Sequence, residues 1–71
     1  MFILIVGQGK VGSTLAAQLS AEGHDLVLID TNSAVLQHLQ ETLDVATLCG
    51  NGAAADVLLE AGADRADLLI A

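Results

Sequence analysis

Apolar positions follow two patterns along this chain: short continuous runs, and stretches in which they recur every three or four residues. A continuous run of four to six fits a strand buried on both faces, and the longer recurrence fits an amphipathic helix. Met1 to Val6 is such a run, rich in β-branched residues and ended by glycine, and predicts strand β1. From Lys10 to Glu22 the positions Val11, Leu15, Ala16 and Leu19 keep helical spacing, with Gly23 placed for a left-handed stop; this is helix α1. Leu26 to Ile29 predicts β2, closing on Asp30-Thr31-Asn32-Ser33, a cluster of residues that favour helix starts. In the following helix, α2, Leu36, Leu39 and Leu43 form one stripe while Gln37, Gln40 and Glu41 face water. Val45 to Leu48 reads as β3, Ala53 to Ala61 as helix α3 stopped by Gly62, and Leu68 to Ala71 as the apolar run of β4.

The order β-α-β-α-β-α-β places this chain in the α/β class. Parallel strands can be joined only through a covering element, and the crossovers are right-handed, so the expected sheet is parallel with strand order 3-2-1-4. A doubly wound sheet usually has two such halves. Residues 1–71 are therefore expected to be the N-terminal portion of a Rossmann-type nucleotide-binding domain, cut within β4, whose open edge favours self-association. The sequence contains no internal repeat and no low-complexity tract.

Composition narrows the picture. Apolar residues make up 54%, with one aromatic, Phe2, and no proline, so the core is aliphatic. No apolar run has the roughly 18 residues of a membrane span and the start lacks a basic signal region, so a cytoplasmic protein without direct membrane insertion is expected. A net charge of −7, with Lys10 and Arg65 as the only lysine and arginine, has the wrong sign for a nucleic-acid partner. The single cysteine, Cys49, reads as a reduced core residue.

The chemistry concentrates after β1, in the turn Gly7-Gln8-Gly9-Lys10-Val11-Gly12. A lone G-x-G-x-x-G is weak, but one that leaves a strand and opens a helix has the setting of a dinucleotide fingerprint. Gly7 makes the tight turn, Gly9 lets the backbone approach a pyrophosphate, and Gly12 lets α1 pack closely on the sheet. The first amides of α1 then face the phosphates, whose charge the helix dipole favours. Asp30 closes β2 eighteen residues after Gly12, where this class places the acid that accepts from ribose hydroxyls. It would repel a 2′-phosphate, and no arginine follows it, so NAD(H) or an adenosine phosphate is favoured over NADP(H). The competing reading of Asp30 is a cap on α2.

Other candidates each carry two readings. Lys10 either adds charge beside a diphosphate or points into solvent. Thr31 and Asn32 either border an adenosine or simply start a helix, and Asn51 either contacts adenine at the carboxyl end of β3 or serves its turn. His24 and His38 lack the spacing of a zinc site and read as surface residues. Ser13 and Thr14 read as first-turn helix residues and not as nucleophiles.

With these residues in place, the chain resembles the family of Trk potassium-uptake regulatory subunits, whose nucleotide-binding unit is called the RCK N-terminal or KTN domain. The resemblance runs the full length through IVGQGKVGSTLA, EGHDLVLIDTN, LDVATLCGNGA and LLEAGADRADLLIA, of which the last two segments are the more specific. It implies a cytoplasmic homo-oligomer, peripheral to the inner face of the cell membrane and partnered with a membrane potassium transporter subunit, on which bound NAD(H) or ATP/ADP controls transport. It also implies that Gly7 to Val11 form the phosphate turn and that Asp30 is the ribose acid. Lys10 stands where related proteins often have glutamine.

One fold serves several functions. The alternative to a non-enzymatic sensor is the cofactor-binding domain of an NAD-dependent dehydrogenase. A methyltransferase also uses a glycine turn and an acid after β2, but Gly12 fits a pyrophosphate site better.

Overall fold

The computed structural model describes residues 1–71. It has the expected seven elements in order: β1 Phe2–Val6, α1 Lys10–Ala21, β2 Asp25–Asp30, α2 Ser33–Thr42, β3 Ala46–Cys49, α3 Ala55–Ala61 and β4 Leu68–Ile70. All pairings are parallel and the sheet order is β3-β2-β1-β4. From β1 the chain steps outward to β2 and β3, then crosses to the opposite side for β4. That reversal beside β1 is the switch point at which open α/β sheets form a crevice at the carboxyl ends of their strands.

Alternation along each strand divides the core. Ile3, Ile5, Leu26 and Leu28 face α1 and α2, where they meet Ala16, Leu36 and Leu39. Leu4 and Ile29 face the other way and pack with Ala61 of α3. Leu4, Leu28 and Ile29 are wholly excluded from solvent. Each such side chain stabilises the fold by about 1.5–3 kcal/mol through burial alone. The central strand β1 is thus buried on both faces, as its uninterrupted apolar run requires.

The helices stop for local reasons. Gly23, just after α1, and Gly62, closing α3, adopt positive φ, so both sequence stops are left-handed turns. Asn32 caps α2, its side chain accepting from the amides of Ala34 (3.0 Å) and Val35 (3.3 Å).

The structure departs from expectation at the periphery. Strand β3 lies one residue later than its apolar run, and α3 begins two residues later than its alanines suggest. Cys49 is exposed and not a core residue, because β3 is an outer strand with a neighbour on one side only. Val11 keeps helical spacing but is 74% exposed, because the first turn of α1 projects past the end of the sheet. At the opposite margin Leu68 and Leu69 of β4 are about half exposed on a strand whose outer edge is unpaired.

Candidate functional site

The site is built where β1, β2 and β3 end together. Gly7 leaves β1 with φ +84°, a conformation costly for any residue with a Cβ, and its amide donates to the Ile29 carbonyl at 2.8 Å. Gly12 answers a different demand: a Cβ there would collide with the Gly7 carbonyl oxygen. The turn can therefore fold back against the start of α1 only with glycine at that position.

Gly9 is the N-cap of α1 and supplies no side chain to the helix amides, and no acid lies in the first turn. The orphan amides that open every α-helix consequently remain free for an external acceptor, and the dipole behind them favours an anion. Lys10 is exposed and forms no ion pair. Val11 offers its backbone, with its side chain in solvent. Ser13 and Thr14 serve the helix itself, donating to the carbonyls of Gln8 (3.1 Å) and Lys10 (2.9 Å).

Asp30 is the last residue of β2 and stands beside the turn. Its Oδ2 accepts from the Gln8 amide at 2.7 Å and its Oδ1 from the Asn32 amide at 2.9 Å. These amides, that of Asn32 foremost and then that of Gln8, hold the carboxyl below its ordinary value, against the opposing pull of partial desolvation. The carboxylate is only half buried, and each oxygen retains an acceptor position beyond the bond it makes. Asp30 is not the cap of α2; Asn32 is. The acid is left to brace the glycine turn and to accept from whatever lies against it.

The remaining candidates divide. Gln8 supplies its backbone to the site but not its side chain, which is 5% exposed and turned inward, with Nε2 donating to the Ile5 carbonyl at 2.9 Å and Oε1 buried without a partner. Thr31 is exposed, and its carbonyl accepts a long contact from the Cys49 thiol at 3.6 Å. Asn51 is exposed and folds on itself, Oδ1 accepting from the Ala53 amide at 2.9 Å in a local turn. Cys49 pairs with Asp30 across the β2–β3 register and therefore borders the site, a placement that sequence reading missed. The signal available was the shift of β3 by one residue toward Gly50. His24 and His38 belong to different elements, and no group of three or more His, Cys, Asp or Glu residues is arranged to hold a metal ion.

A glycine turn between the first strand and first helix, with an acid closing the neighbouring strand at the carboxyl edge of a 3-2-1-4 sheet, defines a Rossmann-type fold with the dinucleotide fingerprint. More narrowly, the chain belongs to the TrkA-N domain family, whose model matches residues 3–71.

Relatives agree with that placement. The chain is similar over its whole length to Trk system potassium uptake proteins TrkA from Vibrio alginolyticus (44% identity) and Haemophilus influenzae (45%), and it spans 16% of each. It is 38% identical to a TrkA homolog from Methanothermobacter thermautotrophicus, of which it spans 33%. Among solved structures it superposes on the Kef CTD of Shewanella denitrificans in AMP-bound form with a TM-score of 0.82 and 30% identity. That alignment covers 97% of this chain and 40% of the other. No helix is long and apolar enough to cross a membrane.

Proposed function

We propose that this chain is the nucleotide-sensing part of a regulator of potassium uptake. It binds NAD(H) or ATP/ADP with the phosphates on the amides that open α1 and the ribose hydroxyls on Asp30, and the ligand is read as a signal and not consumed. The observation that carries the reading is the Asp30 carboxylate, held charged by two backbone amides beside an uncapped helix start. Membership of the TrkA-N family, and an AMP-bound relative of the same fold, support it.

In this reading Gly7, Gln8, Gly9, Lys10, Val11 and Gly12 form the phosphate turn, the first four through backbone geometry or charge and Val11 through its amide. Thr31, just after β2, and Asn51, just after β3, border the adenosine. The protein works as a homo-oligomer on the cytoplasmic face of a membrane potassium transporter subunit. Its nucleotide acts by binding one conformation more tightly than another, and a few kcal/mol of differential affinity is enough to shift such an equilibrium.

Incubation of the protein with NADH and candidate small substrates tests the non-enzymatic part. The cofactor should be recovered unchanged while potassium flux through the transporter responds to it. Steady substrate-dependent oxidation of NADH, lost in Asp30→Ala, would establish a dehydrogenase instead.

A further inference from the structure

Two glycines in the loop after β3 are explained by space and not by backbone conformation. Positive φ is confined to Gly7, Gly23 and Gly62, so the backbone of Gly50 and Gly52 is open to residues with a side chain. What these two lack is room. A Cβ on Gly50 would come within 3.1 Å of Cγ1 of Val57 in α3, and one on Gly52 would run into Cγ1 of Val6, the last residue of β1.

Val6 gives little ground. Its side chain is β-branched and therefore stiff about χ1, and its Cβ and Cγ2 stand 3.4 Å and 3.5 Å from the same point. It also packs against the cluster of Leu4, Ile29 and Ala61 on the α3 face of the sheet. The loop is equally fixed at its start, where the Gly50 amide donates to the Asp30 carbonyl at 2.9 Å. Between these anchors Asn51 closes a turn, its side-chain oxygen and its carbonyl accepting from the amides of Ala53 (2.9 Å) and Ala54 (3.0 Å). One short loop thus touches both halves of the candidate site: Asp30 at the end of β2, and Val6, which leads directly into Gly7. How closely it approaches the glycine turn is limited by the Gly52 backbone resting on the Val6 side chain.

We propose that the Val6–Gly52 contact sets the width of the adenosine end of the crevice, so that both are positioning residues acting on the base through Asn51 and its turn. The inference rests on the nucleotide reading above and deepens it. Oδ1 of Asn51 is already engaged by Ala53, so selection at this end comes chiefly from the room the loop leaves. A methyl added at Gly52 must push the loop off Val6 and change that room. The phosphate is taken by amides of a different element, the start of α1, and is untouched by the shift.

The test compares AMP with ribose 5-phosphate, which keeps the phosphate and ribose and lacks the base, by titration of the isotope-labelled protein. In the parent both ligands should move the amides of Gly9 to Val11, and AMP alone those of Gly50 to Ala53. Gly52→Ala should weaken AMP about tenfold, the usual cost of one misplaced methyl in a fitted pocket, and leave ribose 5-phosphate unchanged. Adding Val6→Ala vacates the space that the new methyl needs and should restore AMP binding. If Gly52→Ala does not fold, Val6→Ile enlarges the same contact from the strand side and should show the same selective loss. Equal weakening of the two ligands would reduce Gly52 to a structural glycine and overturn the proposal. So would an AMP affinity unchanged in folded Gly52→Ala, or one not restored in the double variant. A parent that binds neither ligand would overturn the nucleotide reading and this inference with it, a failure seen before any variant is made.

Discussion

The backbone amide of Gln8 donates to Oδ2 of Asp30 across 2.7 Å, joining the glycine turn after β1 to the end of β2. The carboxylate proposed to meet a ribose therefore also holds the turn proposed to meet a phosphate. Binding geometry and local stability are coupled through one side chain.

Replacing Asp30 with Asn keeps the shape but removes the charge on which the Gln8 and Asn32 amides converge. Hydrogen bonds to a charged acceptor are worth more than neutral ones, so a loss of about 1–2 kcal/mol in urea unfolding at pH 7 is expected. The sign of the pH dependence follows from the carboxyl being held below its ordinary value of 3.8. Its contribution is fully present above that value and is lost as the pH falls through the lower, folded value. The difference between parent and Asp30→Asn should accordingly be flat from about pH 5 to about pH 7 and shrink in stronger acid.

Glycine substitutions in the turn should separate folding from binding. An added Cβ at Gly9 meets nothing within 4 Å, whereas at Gly12 it strikes the Gly7 carbonyl. Gly9→Ala is expected to keep stability within about 1 kcal/mol of the parent and to weaken nucleotide binding tenfold or more. Gly12→Ala should cost about 1–3 kcal/mol by overpacking, before any ligand is added. Thermal unfolding and calorimetry of the two variants check both halves.

Asn32 gives the control for the site. It caps α2 and is one residue removed from Thr31. Asn32→Ala should destabilise the chain by about 1 kcal/mol, the usual value of a lost cap, without changing which nucleotide is preferred. A change in preference would bring Asn32 into the binding surface.

Leu68 and Leu69 lie half exposed on β4, whose outer edge is open to pairing. An apolar, unpaired edge is a template for association. Light scattering should show concentration-dependent self-association of the chain that Leu69→Lys suppresses.

Much of this fold is legible in the sequence because its strands are buried on both faces and its helices on one. Uninterrupted runs such as Ile3-Leu4-Ile5 and the Leu36-Leu39 stripe state their own burial. The turn is legible for a related reason: Gly7 takes a positive φ and Gly12 leaves no room for a Cβ, both demands fixed by the strand-to-helix junction. What escapes the sequence depends on lateral neighbours or on side-chain direction. Cys49 is exposed because nothing pairs outside β3, Val11 because α1 overruns the sheet, and the Gln8 side chain turns inward to reach Ile5. The Val6–Gly52 contact is invisible to spacing altogether, since only topology brings the loop after β3 to the end of β1.

Asp30 and the amides at the start of α1 are proposed to hold an adenine nucleotide by its ribose and phosphates. Calorimetric titration of the protein with NADH, ATP, ADP and AMP, with NADPH beside them, tests it most directly. Saturable one-site binding of at least one unmodified-ribose ligand is expected, with NADH tighter than NADPH, and a loss of about 1–3 kcal/mol in Asp30→Ala. Tighter binding of NADPH than NADH, or affinities unchanged in Asp30→Ala, would contradict it.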